Sequence, residues 1–224
     1  MKVSEAVATR RSVRGFLDKP VDLALLRKIL EQAARAPSGG NMQPWHIHVL
    51  VGEKMRLFKQ LIAERLQTHP KGEEPDLDFY PKHMGTVYKN RVEDIGARLY
   101  QTLKIPRDDK ARRLQWFQRN YAFFGAPVGL FCFIKRDHGA PQWADAGMYL
   151  QTVMLLLHEH GMASCPQGCW VRYAKTIYAF LDIPSDQILF TGMSIGWMDA
   201  QALANQLIAP RANADEFLYF HGVD

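Results

Sequence analysis

A chain of 224 residues, 47% hydrophobic and 23% charged, has the make-up of a protein that buries a substantial core, which sets aside intrinsic disorder and points to a single elaborated domain, residues 1–224. The 28 Lys and Arg outnumber the 23 Asp and Glu, for a net charge of +5; this favours anionic ligands weakly, and because the basic residues are scattered, nucleic acid is not expected as a partner. No apolar run approaches the ~18 residues of a membrane span, and Met1-Lys2-Val3-Ser4-Glu5 has no signal-peptide core, so a cytoplasmic protein without a membrane partner is expected.

Along the chain, the first signal is Arg10, Arg11 and Arg14 beside the Ser12 hydroxyl. Three guanidinium groups within five positions suit bidentate, charge-assisted recognition of a phosphate, although such a run taken alone also reads as a solvated basic turn. Asp22 is placed to cap a helix in which Leu25, Leu26, Ile29, Leu30 and Ala33 recur at helical spacing, and Pro37 stops it. The loop that follows, Pro37-Ser38-Gly39-Gly40-Asn41, has glycines that let backbone N–H groups approach a ligand closely. Residues 46–51 alternate as a strand, with Ile47, Val49 and Val51 on one face, and an amphipathic helix is expected after Glu53.

Between 69 and 90, Pro70, Gly72, Pro75, Pro81 and Gly85 interrupt a charged stretch. It opens a lid-like insertion at about 69–122, with helical patterns over 92–103 and 109–124. Tyr88, Arg91 and Arg119, with Trp116, Tyr121, Phe123 and Phe124, mix aromatic and cationic character there. That mixture suits a planar anionic substrate, while most of these aromatics read more readily as core or subunit contacts. Residues 128–134 read as a buried strand, 143–160 as a core helix and 189–195 as another strand. Alternating helices and strands argue for an α+β or α/β layered domain. The tail Phe217-Leu218-Tyr219-Phe220 is apolar and calls for a partner surface.

Cys132, Cys165 and Cys169 leave one thiol unpaired in any disulfide scheme, so reduced thiols are expected. A zinc site using Cys165, Cys169, His158 and His160 is set aside, because two histidines two apart on a helix project roughly 200° apart; no metal is expected. His46 and His48 read as strand residues with local hydrogen bonds, not as an acid–base pair. The chain has neither a Gly-x-Gly-x-x-Gly fingerprint nor a Walker-type loop. It does have Gly192-Met193-Ser194-Ile195-Gly196, which fits a nucleophile elbow with Asp199, Asp215 and His221 downstream. The rival reading is therefore a serine hydrolase using Ser194, opposed by the 28 residues that follow Gly196, too few for the remaining strands of such a fold. A pure binding module gives the two polar stretches near the start no specific role.

Those two stretches, Arg10-Arg11-Ser12-Val13-Arg14 and Pro37-Ser38-Gly39-Gly40-Asn41-Met42-Gln43-Pro44-Trp45, resemble the start of FMN-dependent nitroreductase family proteins. The likeness continues through Gly125-Ala126-Pro127-Val128, Gly161 to Gly168, Gly192 to Trp197 and Arg211, and is least over 69–122. The resemblance implies a three-layer α/β/α fold of the α+β class, with a central mixed, mainly antiparallel sheet flanked by helices. It implies that Arg10, Arg11, Ser12 and Arg14 bind FMN, with Arg10 and Arg211 at the phosphate and Arg14 at the pyrimidine edge. There a cation stabilises the reduced, anionic ring. Pro37, Ser38, Gly39 and Asn41 would come from the neighbouring subunit of a homodimer with its sites at the interface. The backbone around Pro166, Gln167 and Gly168 would face the flavin near its reactive N5; the turn is shorter than in members with an acidic residue there, which leaves the N5 donor open.

The implied activity is a ping-pong reaction. NADH or NADPH reduces FMN, and a nitroaromatic or related conjugated acceptor then takes hydride from N5. No side chain is needed as a catalytic acid or base. A nitrobenzoate drawn by Arg91 or Arg119 is the favoured substrate. A reductive dehalogenase or another flavin enzyme on the same fold would share the cradle and differ mainly in the lid.

Overall fold

The computed structural model describes residues 1–222. Its helices are α1 (Val3–Thr9), α2 (Leu23–Ala33), α3 (Gly52–Thr68), α4 (Thr86–Thr102), α5 (Lys110–Gln118), α6 (Ala140–Glu159) and α7 (Ala174–Leu181). The strands are β1 (His46–Leu50), β2 (Val128–Lys135), β3 (Ala163–Gln167) and β4 (Gln187–Gly196), in the spatial order β1-β2-β4-β3. All three pairings are antiparallel; the parallel component is an isolated bridge between Ser12 and Ser164.

Strand β2 is central and buried on both faces, which explains its near-continuous apolar sequence. Leu130, Cys132 and Ile134 point into one core, with Leu26, Ile29 and Ala33 of α2 and Ala146, Tyr149, Val153 and Leu157 of α6. Phe131 and Phe133 point the opposite way, into a core built from Phe58 and Ile62 of α3, Tyr121, Phe123 and Phe124 at the end of the insertion, Trp170, and Ile177 of α7. The two cores on opposite faces of one sheet make the three layers. Aromatic packing dominates the second: Trp170 lies 4.7 Å from Phe123 and 5.3 Å from both Phe131 and Tyr121, centroid to centroid.

The insertion departs from its sequence pattern at two places. Helix α4 begins at Thr86, earlier than the periodicity over 92–103 indicates, because Gly85 serves as its N-cap and not as part of the loop. The pattern over 109–124 stops being α-helical after Gln118 and continues as a 3-10 segment in which Phe123 (φ 53°) and Phe124 (φ 54°) are left-handed. Strain of about 1–3 kcal/mol at such a residue is offset by complete burial of a Phe ring, worth about 1.5–3 kcal/mol, and both rings are buried. The loop before α4 is tied down as well. Glu73 accepts hydrogen bonds from Arg65, from the Thr176 amide and from the Thr176 hydroxyl, and Asp76 accepts from Arg136 and Tyr178 at 2.7 and 2.8 Å. Helices α1 and α7 and strand β3 complete the fold.

Close packing against β4 yields a first prediction. A Cβ on Gly192 would lie 2.3 Å from Cδ1 of Trp170, whose ring is enclosed on all sides. Gly192→Ala is expected to cost about 1–3 kcal/mol through overpacking. Urea unfolding should read this as a lower midpoint with an unchanged slope.

Candidate active site

After α1 the chain runs along the outer edge of β3, the strand that ends the sheet. Ser12 bridges to Ser164 in parallel, and the Val13 amide donates to the Ser164 carbonyl at 3.0 Å. Asn205, itself buried, holds the next residues: its Oδ1 accepts from the Arg14 amide at 2.7 Å, and its Nδ2 donates to the carbonyls of Gly15 and Asp199, both at 2.8 Å. The segment carrying the arginines is thereby fixed at its backbone, which leaves the side chains available.

Arg10 is half-buried beside Arg211 and Cys165. Burial, then the positive charge of Arg211, lowers the pKa of its guanidinium from the ordinary arginine value. Among the described residues Arg11, Arg14 and Arg211 donate only to backbone carbonyls: Arg11 to Asn205 at 2.9 Å, Arg14 to Ser12 at 3.4 Å, and Arg211 to Ala209 and Pro210 at 3.1 and 2.9 Å. Arg10 feels the charge of Arg211, and none of the four guanidinium groups is ion-paired among the described residues; like charges left in this way cost free energy. A phosphate set between them removes that cost and receives bidentate donors. The donor set therefore fits the phosphate of FMN.

The second polar stretch is a built loop of unusual backbone. Gly40, Asn41 and Gln43 all have positive φ, from 50° to 59°. The Ser38 hydroxyl accepts from the Gln43 amide at 3.0 Å, and Asp145, a carboxylate buried in α6, accepts from the Gly39 amide at 3.1 Å. Pro37, Ser38, Gly39 and Asn41 thus sit at the N-terminal end of α6. The arginine cradle sits at the opposite end, where Thr9 Oγ1 lies 2.7 Å from His158 Nε2. At about 1.5 Å per residue the helix between Asp145 and His158 is about 20 Å long. Within one chain the two stretches do not converge.

The turn after β3 is the third part. Gln167 is buried, with its side chain held by Ser194, Trp170 and Asn120. Gly168 has the Phe79 ring of the insertion packed on it; an added Cβ would lie 1.7 Å from Phe79 Cε2. Pro166 is exposed on the outer side of the turn.

Of the insertion residues, Tyr88 is exposed on α4. Arg91 is ion-paired with Glu216 at 2.8 Å, and the guanidinium of Arg119 stacks 4.7 Å from the Trp116 ring. Tyr121, Phe123 and Phe124 belong to the core.

The hydrolase reading is overturned. Ser194 is 0% exposed in the middle of β4, and its hydroxyl donates to Gln167 Oε1 at 2.6 Å. The flanking glycines are packing sites, Gly192 for Trp170 and Gly196 for Pro127, whose Cδ would lie 2.6 Å from an added Cβ. All three cysteines are free, and burial pushes the Cys165 thiol up to about 11 despite Arg14 and Arg10 nearby. Among the described residues no three His, Cys, Asp or Glu side chains converge on a common point, and no helix is long and apolar enough to cross a membrane. His48 packs edge-on against Phe133 at 5.1 Å, a contact of packing where hydrogen bonding was expected.

Asn205, Asp145 and Phe79 escaped the sequence reading. Asp145 had a signal, a lone acid within an apolar helix; Asn205 and Phe79 had none, because their partners lie far along the chain.

The fold recurs in known proteins. The profile of the Nitroreductase family matches residues 7–197, and the chain belongs to that family of oxidoreductases. It is 49% identical to the FMN and NADPH-dependent nitroreductase NfnB of sphigopyxis sp. strain HMH, with a TM-score of 0.97 and full coverage of both chains; that protein has also been solved as Y88F and Y88A variants. The FMN-dependent nitroreductase NfnB of Mycobacterium smegmatis, solved in complex with NADPH, is 31% identical with a TM-score of 0.92, over 98% of each chain. A 4-nitrobenzoate reductase of Pseudomonas putida is 37% identical over 218 residues, 97% of this chain and 95% of the relative.

Asn205→Ala removes two hydrogen bonds from the segment carrying Arg14 and a third from the Asp199 carbonyl. At about 0.5–1.5 kcal/mol each, a stability loss of about 2–4 kcal/mol is expected from urea unfolding.

Proposed function

We propose that the protein is an FMN-dependent nitroreductase, using NADPH or NADH as donor and working as a cytoplasmic homodimer. The observation that carries this reading is a run of arginines, Arg10, Arg11 and Arg14, fixed at its backbone on β3 and by Asn205, in which no guanidinium is ion-paired with a carboxylate among the described residues. When bound, FMN supplies a two-electron relay between the nicotinamide and the nitro group. The chain's part is to hold it: Arg10 and Arg211 at the phosphate, Arg11 and Ser12 along the same edge, and Arg14 at the pyrimidine side, where a guanidinium favours the reduced ring. The turn Pro166-Gln167-Gly168 borders the reactive edge. No side chain serves as acid or base, and water supplies the protons.

The separation of the two polar stretches along α6 supports the dimer. A twofold axis across the middle of that helix would bring Pro37, Ser38, Gly39 and Asn41 of one subunit to the arginines of the other. Met148 presents an exposed apolar side chain on α6 near that midpoint. The outer edge of β1 is unpaired among the described residues, beside an apolar groove of about 490 Å³ lined by Leu23, Leu26, Leu30, Trp45, Val49 and Tyr149. It suits the exposed tail Phe217-Leu218-Tyr219-Phe220 of a second copy. Truncation before Phe217 is expected to raise the dimer dissociation constant in sedimentation experiments; an unchanged constant would remove the tail from the interface.

For substrate, the resemblance to a 4-nitrobenzoate reductase and to enzymes named nitroreductases favours nitroaromatics over the dehalogenase alternative. Arg91 and Arg119 are already engaged, whereas the exposed Tyr88 ring, with the Arg91 guanidinium 5.8 Å from its centroid, is positioned to stack on an aromatic acceptor. With 4-nitrobenzoate, Tyr88→Ala is expected to raise KM about fivefold or more, roughly the ~1 kcal/mol of one aromatic contact. Arg91→Ala and Arg119→Ala should change it less than twofold; a large rise in either would restore charge recruitment.

The flavin reading is tested by the visible spectrum of the purified protein. A yellow protein that bleaches anaerobically with NADPH and recolours with 4-nitrobenzoate supports it, and a colourless protein that takes up no FMN overturns it. Arg10→Ala and Arg211→Ala should each raise the Kd for FMN about tenfold to a hundredfold, the loss of a charge-assisted hydrogen bond worth about 1.5–3 kcal/mol.

A further inference from the structure

Gln167 carries a side-chain amide that is both buried and saturated. Its Oε1 accepts from the Ser194 hydroxyl at 2.6 Å and from Trp170 Nε1 at 3.4 Å. Its Nε2 donates to the Asn120 carbonyl at 2.7 Å and to Asn120 Oδ1 at 3.3 Å. One amide thus joins β3, β4, the 3-10 turn Gly168–Tyr173 and the last turn of the insertion. Gln167 is also where the chain leaves the sheet, with φ −136° and ψ 85°. Ser194 holds this point from below, paired across the sheet with Gly129 on one side and Cys165 on the other. The serine of the Gly-x-Ser-x-Gly motif is therefore spent on the turn that borders the proposed flavin.

We infer that Ser194 is a positioning residue for the flavin's reactive edge. By fixing the Gln167 amide it sets where the backbone N–H groups of Gln167 and Gly168 point, and so which donor the flavin N5 meets. The inference rests on the flavin reading above. The chemistry of the site also selects glutamine. Two oxygens of Asn120 face the Gln167 nitrogen, and a carboxylate in its place would set acceptor against acceptor and a negative charge beside the reduced ring.

The two groups act on different redox states, which makes them separable. Oxidised N5 accepts a hydrogen bond and reduced N5 carries a proton, so a well-placed N–H favours the oxidised form. Ser194→Ala should therefore weaken oxidised FMN about fivefold and leave reduced FMN unchanged. At about 30 mV per tenfold for a two-electron couple, the midpoint potential rises by about 20 mV. Gln167→Glu should weaken reduced FMN about tenfold, which lowers the potential by about 30 mV. Thr191→Val is the control, since that hydroxyl lies on the same strand and bonds only the Gly192 carbonyl.

The experiment measures FMN Kd and midpoint potential for the wild type and the three variants, with apoprotein melting temperatures alongside. Opposite shifts for Ser194→Ala and Gln167→Glu, with Thr191→Val at the wild-type potential, support the assignment. A wild-type potential in Ser194→Ala, or an equal shift in Thr191→Val, overturns it. If Ser194→Ala does not fold, Ser194→Cys, of similar size but a weak donor, takes its place, and an unchanged potential there is fatal. A wild type that takes up no FMN brings down the flavin reading itself, and this assignment with it.

Discussion

The pinning of residues 12–15 to the free edge of β3 is the constraint on which the site depends. Arginine side chains on a loose terminal segment would place their charges anywhere within several ångströms. Here the Ser12–Ser164 bridge, the Val13 to Ser164 hydrogen bond and the hydrogen bonds of Asn205 with the Arg14 amide and the Gly15 carbonyl fix the backbone. With the backbone fixed, the side chains retain the freedom to close on an anion. The edge that might have recruited another strand is occupied by the segment that builds the site.

That arrangement carries an electrostatic cost. Arg10 is half-buried within the field of Arg211, and burial lowers the Arg10 pKa further than the Arg211 charge does. Folding brings these charges together because the cost is local and small beside two cores of buried aromatic and aliphatic side chains. Cys165 nearby stays a thiol, since burial outweighs the pull of Arg14 and Arg10. The site thus offers cationic recognition without a competing nucleophile.

Helix α6 sets the scale of the molecule. Its buried face supplies a large part of one core, while its two ends carry different halves of the ligand machinery, through Asp145 to the Gly39 loop and through His158 to α1. Within one chain, the Gly39 loop and the arginine segment therefore lie at opposite ends of this helix. The insertion reaches the same centre from the other side, through Phe79 on Gly168 and Asn120 on Gln167.

Whatever depends on near neighbours was legible in the chain itself. The Asp22 cap and the apolar spacing of α2, the alternation of β1 and the unbroken apolar runs of β2 and β4 are local signals, and the strands appear where they indicate. The arginine run and the Gly-rich loop were visible for the same reason, and with them the family. Strand β3 was not, because Ala-Ser-Cys-Pro-Gln contains a proline and little β-propensity; it pairs because an edge strand tolerates a missing N–H and β4 supplies the partner. Nor could periodicity reveal that Phe123 and Phe124 leave helical geometry, that Ser194 faces a glutamine instead of a histidine, or that Arg91 meets Glu216. Each is decided between residues far apart in sequence, where burial and charge pairing outweigh local preference, and only the folded chain brings those residues within reach.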